Sequence, residues 1–593
     1  MKKKQLYLLA AGVVMGSLSS CIDDNYDLSD INTTSEFKVK DLELPVQLDP
    51  VELSDIITVK EGDKIHEVTI NGHTFYAVEQ TGEFHSDPVH VNEFTAKPEH
   101  LSTTTATFRT QPTRAGESQK IYLLLNEVRS EFDYSSTDID GTIRDLTYAE
   151  FKPTGISFTI VNSLGSNIGA GLENLKVSLP EGLRVTAIQT PGKNYPASAY
   201  DIATGMLTLP QVAFQNGEAN VTLTADAVNV DSKWYNYNES KNVGEFNLDS
   251  ELTIKEGKLT LTASAQDLAS IGDEVNFQVK YALGNMDVTS ILGSVKYDLK
   301  GNGLNIDPIE INDLPDFLES EETNLILANP QIYLSLNNPV GGMNLKYQSG
   351  MLIKALRNNG PDASFPLDAF VVPASGEGPF NYVLAPDPSA VTEIPSQFAS
   401  GLTRVTYNNL GNILSGKGIP NTLDIELVNP EIPLQKLSTP LQLGQDLQEM
   451  KGTYQFLAPL ALEGDATSGS QIIYTHTADG WWSEDLADLT IGELTLNANV
   501  TNAIPLNASI SVYPIDKDGN VISGVEVIPI EVAAGEQNKP AVFVIKGTIR
   551  NLDGVKIRAD VHPDGTGEAL APSQTITLTD IKVKVSGNYT KKF

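Results

Sequence analysis

The chain has 593 residues, with 41 Lys and Arg against 76 Asp and Glu, for a net charge of −35. A negative field of that size repels nucleic acid and anionic lipid head groups, so charge alone excludes nucleic acid as a partner. At 40% hydrophobic residues the chain can bury sizeable cores, and with a single cysteine it has no disulfide framework to lean on.

The first two dozen residues carry the sharpest signal. Met1-Lys2-Lys3-Lys4 is a basic start, Leu6 to Val14 an apolar run, and Leu18-Ser19-Ser20-Cys21 a small-residue cleavage site. Together they form a secretory signal, and the run falls short of the ~20 apolar residues that span a bilayer. Cys21, the lone cysteine, sits at the cleavage point. The stretch resembles the bacterial lipobox. That resemblance implies cutting between Ser20 and Cys21, and acylation of the thiol and of the new amino terminus with chains such as palmitate. Two or more acyl chains make an anchor stable. Removing residues 1–20 takes away three lysines and no acid, so the mature balance is 38 − 76 = −38. Asp23 and Asp24, with Asp27 close behind, are similar to the export signal of Bacteroidetes-type surface lipoproteins, as is Tyr26-Asp27-Leu28-Ser29-Asp30-Ile31. This implies a protein lipid-anchored in the outer membrane and facing the cell exterior. Residues 21–35 then read as a polar tether of about 20 Å coil dimension.

Beyond the tether nearly every segment alternates apolar and polar residues with period two, the pattern of half-buried strands. Asn71-Gly72, Asp140-Gly141, Asp479-Gly480, Asp518-Gly519 and Asp564-Gly565 supply the positive-φ pairs of tight hairpins. The expected strands, in order, include Phe37–Leu48, Ile56–Lys60, His66–Ile70, Thr74–Val78, Thr105–Arg109, Ile121–Val128, Gly155–Asn162, Leu175–Leu179, Leu183–Ala187, Met206–Leu209 and Val221–Ala225. Leu179-Pro180-Glu181-Gly182 is a turn. Lys258–Ala265, Val275–Tyr281, Val295–Leu299 and a long final Thr575–Gly587 follow. Helices are expected only at Leu314–Glu322, Leu410–Ser415 and Ser483–Asp488. The fold class is mainly β: several tandem antiparallel β-sandwich domains of immunoglobulin-like size with a few short helices. Composition breaks place units at 36–119, 120–229, 230–311, 312–452 and 453–593.

A weak echo recurs along the second half. Alternating strands run into Asn with a nearby Pro at Asn329-Pro330, Asn338-Pro339, Asn429-Pro430 and Asn502-Ala503-Ile504-Pro505. Proline gives no ladder donor and forces an extended predecessor, so each site is expected to end a strand. The pattern faintly resembles the late-embryogenesis-type β-sandwich, which bears on fold alone.

Chemistry-bearing constellations are sparse. His66, His73, His85, His90 and His100 cluster among acids, yet their spacing matches no metal-ligand motif, so no metal and no cofactor is assigned. No Gly-x-Ser-x-Gly elbow or phosphate loop occurs, and Cys21 is consumed by lipid. Asp516-Lys517-Asp518-Gly519 lacks the downstream acid of a calcium loop and reads as a hairpin turn. Two aromatic groups remain, Trp234-Tyr235 with Tyr237, and Trp481-Trp482. Exposed rings there would stack on sugar faces; alternatively Trp482, just before a helix N-cap at Ser483, would be buried by a hydrophobic staple. The sequence therefore points to a non-catalytic surface lipoprotein acting as a binding, adhesion or assembly scaffold, with a glycan or a surface protein as partner. The rival readings are a glycan-binding accessory of polysaccharide uptake, or a hydrolase with two carboxylates ~5–9.5 Å apart.

Overall fold

The computed structural model describes residues 34–44, 51–52, 65–99, 103–110, 120–298, 306–311, 318 and 322–592, apart from 359, 375, 377, 417–418, 465–468 and 484–486. Cys21, Ser20, Asp23, Asp24, His100, strand 56–60 and most of helix 314–322 lie outside these residues.

The protein is mainly β, built from antiparallel sheets packed face to face. In the first sandwich one sheet holds Leu183–Thr190, Glu218–Asn229, Ile143–Val161, Glu274–Leu283 and Thr104–Thr110. The other holds Met206–Ala213, Gly169–Ser178, Glu251–Thr262 and Lys120–Leu125. The period-two pattern sets the burial. Ile156, Phe158 and Ile160 face Leu172, Val177, Leu259 and Leu261 across a single core, while the residues between them point outward.

In the middle sandwich a six-stranded sheet runs Ile65–Ile70, His73–His85, Lys451–Pro459, Gln331–Leu336, Phe380–Ala385 and Thr403–Thr406, the last pair parallel. It packs on Tyr347–Leu356, Ala363–Val372 and Thr422–Lys436. Two neighbouring strands depart from alternation. Gln331–Leu336 and Phe380–Ala385 are buried on both faces, because the segment around Val391 and Phe398 covers the back; Tyr333 stacks on Phe398 with centroids 5.4 Å apart.

The C-terminal sandwich pairs Thr34–Leu44, Thr575–Lys592, Leu489–Asn502 and Lys539–Ile549 in one sheet. Ile472–Ala478, Leu552–Pro563, Leu506–Asp516 and Ile530–Val532 form the other.

The sequence borders need correction at the N-terminal end. The 36–119 unit is divided among all three sandwiches: Thr34–Leu44 joins the last strand, His73–His85 joins Lys451–Pro459, and Phe94–Pro98 joins Met286–Asp298. Hydrophobic alternation marks a strand's two faces but not its neighbours, so sheet membership escaped a reading by chain position. The helix expected at Leu410–Ser415 is a single 3-10 turn, Leu410–Asn412. At Ser483–Asp488, residues 484–486 fall outside the described set.

The Asn-Pro echo has two outcomes. Asn338 and Asn502 end strands as expected, and both are fully buried. Asn338 Nδ2 donates to the carbonyls of Leu345 (2.8 Å) and Pro373 (2.9 Å), and its Oδ1 accepts from Val340 N (3.0 Å). Asn502 repeats the arrangement with Leu506 O (2.8 Å), Ala533 O (3.1 Å) and Ile504 N (3.1 Å). Asn429, by contrast, lies inside the 15-residue strand Thr422–Lys436. It takes a positive φ of 50°, where the ladder to Tyr347–Leu356 shifts register, and so bends the strand instead of ending it.

Candidate functional site

A cavity of about 1020 Å³ opens at one end of the first sandwich. It forms where the turn 179–182, residues 202–204, the 3-10 turn Ser232–Trp234 and residues 249–251 meet. The expected Leu179-Pro180-Glu181-Gly182 turn is one wall, between strands Gly169–Ser178 and Leu183–Thr190. Backbone bonds hold it: Gly182 N donates to Ile202 O (2.9 Å), and Asn229 N to Gly182 O (3.0 Å). Gly182 is obligatory, with φ at 78° and a Cβ there reaching 2.6 Å from the Asn229 side chain.

The cleft floor is rich in charge. Arg129 Nε bonds Glu127 at 2.7 Å and its Nη1 lies 3.8 Å from Glu251; Lys233 is 3.8 Å from Asp231. These pairs are exposed and each contributes roughly 0.2–1 kcal/mol at most.

The aromatic residues singled out by sequence are placed differently from the stacking expectation. Trp234 is 8% exposed and Tyr235 7% exposed, both inside the first core. The Tyr235 hydroxyl donates to Ile143 O at 2.6 Å, and burial pushes its pKa well above the ordinary phenol value. Tyr237 is half-buried, with the Arg144 guanidinium 4.0 Å from its ring centre and its hydroxyl donating to Asn242 Oδ1 (2.7 Å). Trp481 is 9% exposed and packs in the shared core of the middle and C-terminal sandwiches. Trp482 is 39% exposed, the reverse of the staple expectation, because Trp481 takes the inward position while Asp553 accepts both backbone amides, through its carbonyl and its carboxylate. A sugar needs a free ring face, and Trp234, Tyr235 and Trp481 have none to offer.

The histidines disperse. His66 pairs with Glu79 (2.9 Å), His73 with Glu393 (3.4 Å) and His90 with Asp446 (2.7 Å), each with a different carboxylate. Among the described residues no group of three or more His, Cys, Asp or Glu is placed to hold a metal. Asp516 closes a hairpin turn, its Oδ1 accepting from Asp518 N (3.0 Å) and Asn520 N (2.9 Å). Arg144, which the sequence reading did not single out, carries no motif around it; its role comes from what the fold places beside it.

No family model matches the sequence, and no curated protein matches it. Among solved structures the chain is similar to a Parabacteroides distasonis protein described as secreted, at 19% identity and a TM-score of 0.35, over 50% of this chain and 90% of that one. A likeness to the structure of infectious bursal disease virus, Gx strain, covers 76% of this chain and 81% of that chain at 12% identity and a TM-score of 0.09. At these scores neither likeness fixes fold or function.

Proposed function

We propose that the chain is a non-catalytic lipoprotein, anchored through acylated Cys21 to the outer membrane and displayed on the cell surface, where its sandwiches bind a partner or scaffold an assembly. The observation that carries this is Leu18-Ser19-Ser20-Cys21 behind a basic, apolar leader, with Asp23 and Asp24 directly after. Two features support it. No helix among the described residues is long and apolar enough to cross a membrane. The first strand begins at Thr34, so 12 residues (22–33) separate it from Cys21. That length spans at most about 40 Å when fully extended. Because Thr34–Leu44 belongs to the C-terminal sandwich, that sandwich sits beside the bilayer and the first sandwich connects through the middle one.

The test is metabolic labelling with palmitate together with protease treatment of intact cells. Wild type takes up label and is degraded from outside; Cys21→Ala takes up none and leaves the membrane fraction. Label uptake with full protease protection would overturn the surface orientation, and unlabelled wild type would overturn the anchor. The glycan-accessory reading is left with Trp482 as its exposed ring, since Trp234, Tyr235 and Trp481 are buried.

A further inference from the structure

Where the first sandwich meets the middle one, a cavity of about 430 Å³ lies between the turn at Asp140–Gly141, Asn242, the end of strand Met286–Asp298 and His90. Arg144 lines it. The guanidinium makes two contacts: Nη2 donates to Asn242 Oδ1 at 3.3 Å, and its central carbon stands over the Tyr237 ring, 4.0 Å from the ring centre. Its Nε is fully buried and has no acceptor, and among the described residues no carboxylate pairs with it. In a protein with 76 acids, a half-buried arginine without a carboxylate is a conspicuous exception. With no carboxylate of the described residues on it, the guanidinium can take an anion from outside the chain through Nη1 and Nη2.

The surroundings keep that position open. Two acids line the cavity: Asp298, which is engaged by a partner of its own, and Asp140, which is held by amides, its Oδ2 accepting from Asn92 N (3.1 Å) and Asn92 Nδ2 (3.2 Å) and its Oδ1 from Thr142 N (2.9 Å). Gly141 lets the turn press against Asn242, since a Cβ would stand 2.2 Å from the Asn242 carbonyl oxygen. Two further cationic or protonatable groups border the cavity from the module junction, Lys296 at 3.4 Å from Glu431 and His90 at 2.7 Å from Asp446. Arg144 is thus the group with unspent donors, and its planar fork matches an oxyanion in bidentate fashion.

We propose that this junction cavity binds an acidic sugar: a small polyhydroxylated ligand whose carboxylate or sulfate ester sits on Arg144 and whose hydroxyls meet the Asp140, Thr142 and Asn242 edge. The volume lies within the ~300–1,000 Å³ usual for small-molecule sites, which favour junctions between domains. A lone inorganic anion would leave most of it to water. Tyr237 acts as a positioning residue that holds the guanidinium plane. The proposal names a ligand class at a site separate from the open cleft, and it does not depend on the lipid anchor.

The experiment is calorimetric titration of the full chain in detergent with glucuronic acid, a sulfated monosaccharide, glucose and inorganic sulfate. Binding of either acidic sugar, with glucose and sulfate at least about ten-fold weaker, is the expected result; which of the two binds identifies the oxyanion. Arg144→Lys lowers that affinity about ten-fold or more, because an ammonium lacks the fork, while its urea midpoint stays at the wild-type value. Lys582→Met, which removes one exposed positive charge in the C-terminal sandwich, leaves the affinity unchanged. Absence of binding by both acidic sugars overturns the proposal. So does wild-type affinity in Arg144→Lys, and so does sulfate binding as tightly as the sugars.

Discussion

Asn338 and Asn502 each satisfy three backbone groups with one buried side chain, two carbonyls through Nδ2 and one amide through Oδ1. Removing such a group leaves buried polar atoms without partners, at roughly 1–3 kcal/mol each. Asn502→Ala is therefore expected to lower the urea-unfolding free energy by about 3 kcal/mol. The isosteric Asn502→Asp should cost at least as much, although it keeps the volume. A carboxylate only accepts, and the carbonyls of Leu506 and Ala533 need a donor. An Asp variant as stable as wild type would refute the assignment. The same scale explains Tyr237: its value lies in the arginine it carries, since one ring face is already covered.

At the scale of elements, the pairing of Thr34–Leu44 with Thr575–Lys592 is testable because the chain has one cysteine. Glu36 and Thr590 stand opposite each other and both are exposed. In a Cys21→Ala background, Glu36→Cys with Thr590→Cys should form a disulfide on mild oxidation, seen as a gel shift reversed by reductant; neither single variant should show it, and a double variant that stays reduced would argue against the pairing. Periodicity made most strands legible. His66–Ile70, Val275–Tyr281 and Leu183–Ala187 fall inside observed strands with edges moved by a few residues at most. It missed Phe380–Ala385, which is covered on both faces, since a nearly continuous apolar run carries no period. The sites were less legible than the strands. An aromatic pair reads the same whether its rings face solvent or core, so Trp234 and Tyr235 drew attention they do not hold. Arg144 drew none, because its meaning depends on Asn242 and Lys296, which are about 100 and 150 residues away in the sequence.

At the scale of the whole molecule, buried phenols set an alkaline limit on stability. Burial pushes Tyr382 up to about 12, and Tyr134, Tyr200, Tyr235, Tyr333 and Tyr407 further. An unfolded phenol titrates near 10. The folded state therefore keeps protons the unfolded state releases, so this contribution is complete below pH ~10 and is lost as pH rises above it. Tyrosinate absorbance should rise together with the loss of β-sheet circular dichroism, both above pH ~10; ionisation of these tyrosines at pH 10 with the fold intact would contradict their burial. The closure of the chain on itself also sets a schedule. The amide of Asp41 bonds the Ser586 side chain, 545 positions further on. Synthesis proceeds from the amino terminus, so the first strand exists long before its partner does. At about 5–20 residues per second, the wait is on the order of half a minute to two minutes. During that time Phe37 and Leu42 sit on an unpaired edge. On the proposed acylation of Cys21, the chain would be fastened to its membrane while still incomplete, and its last strand would dock against a neighbour already held at the bilayer.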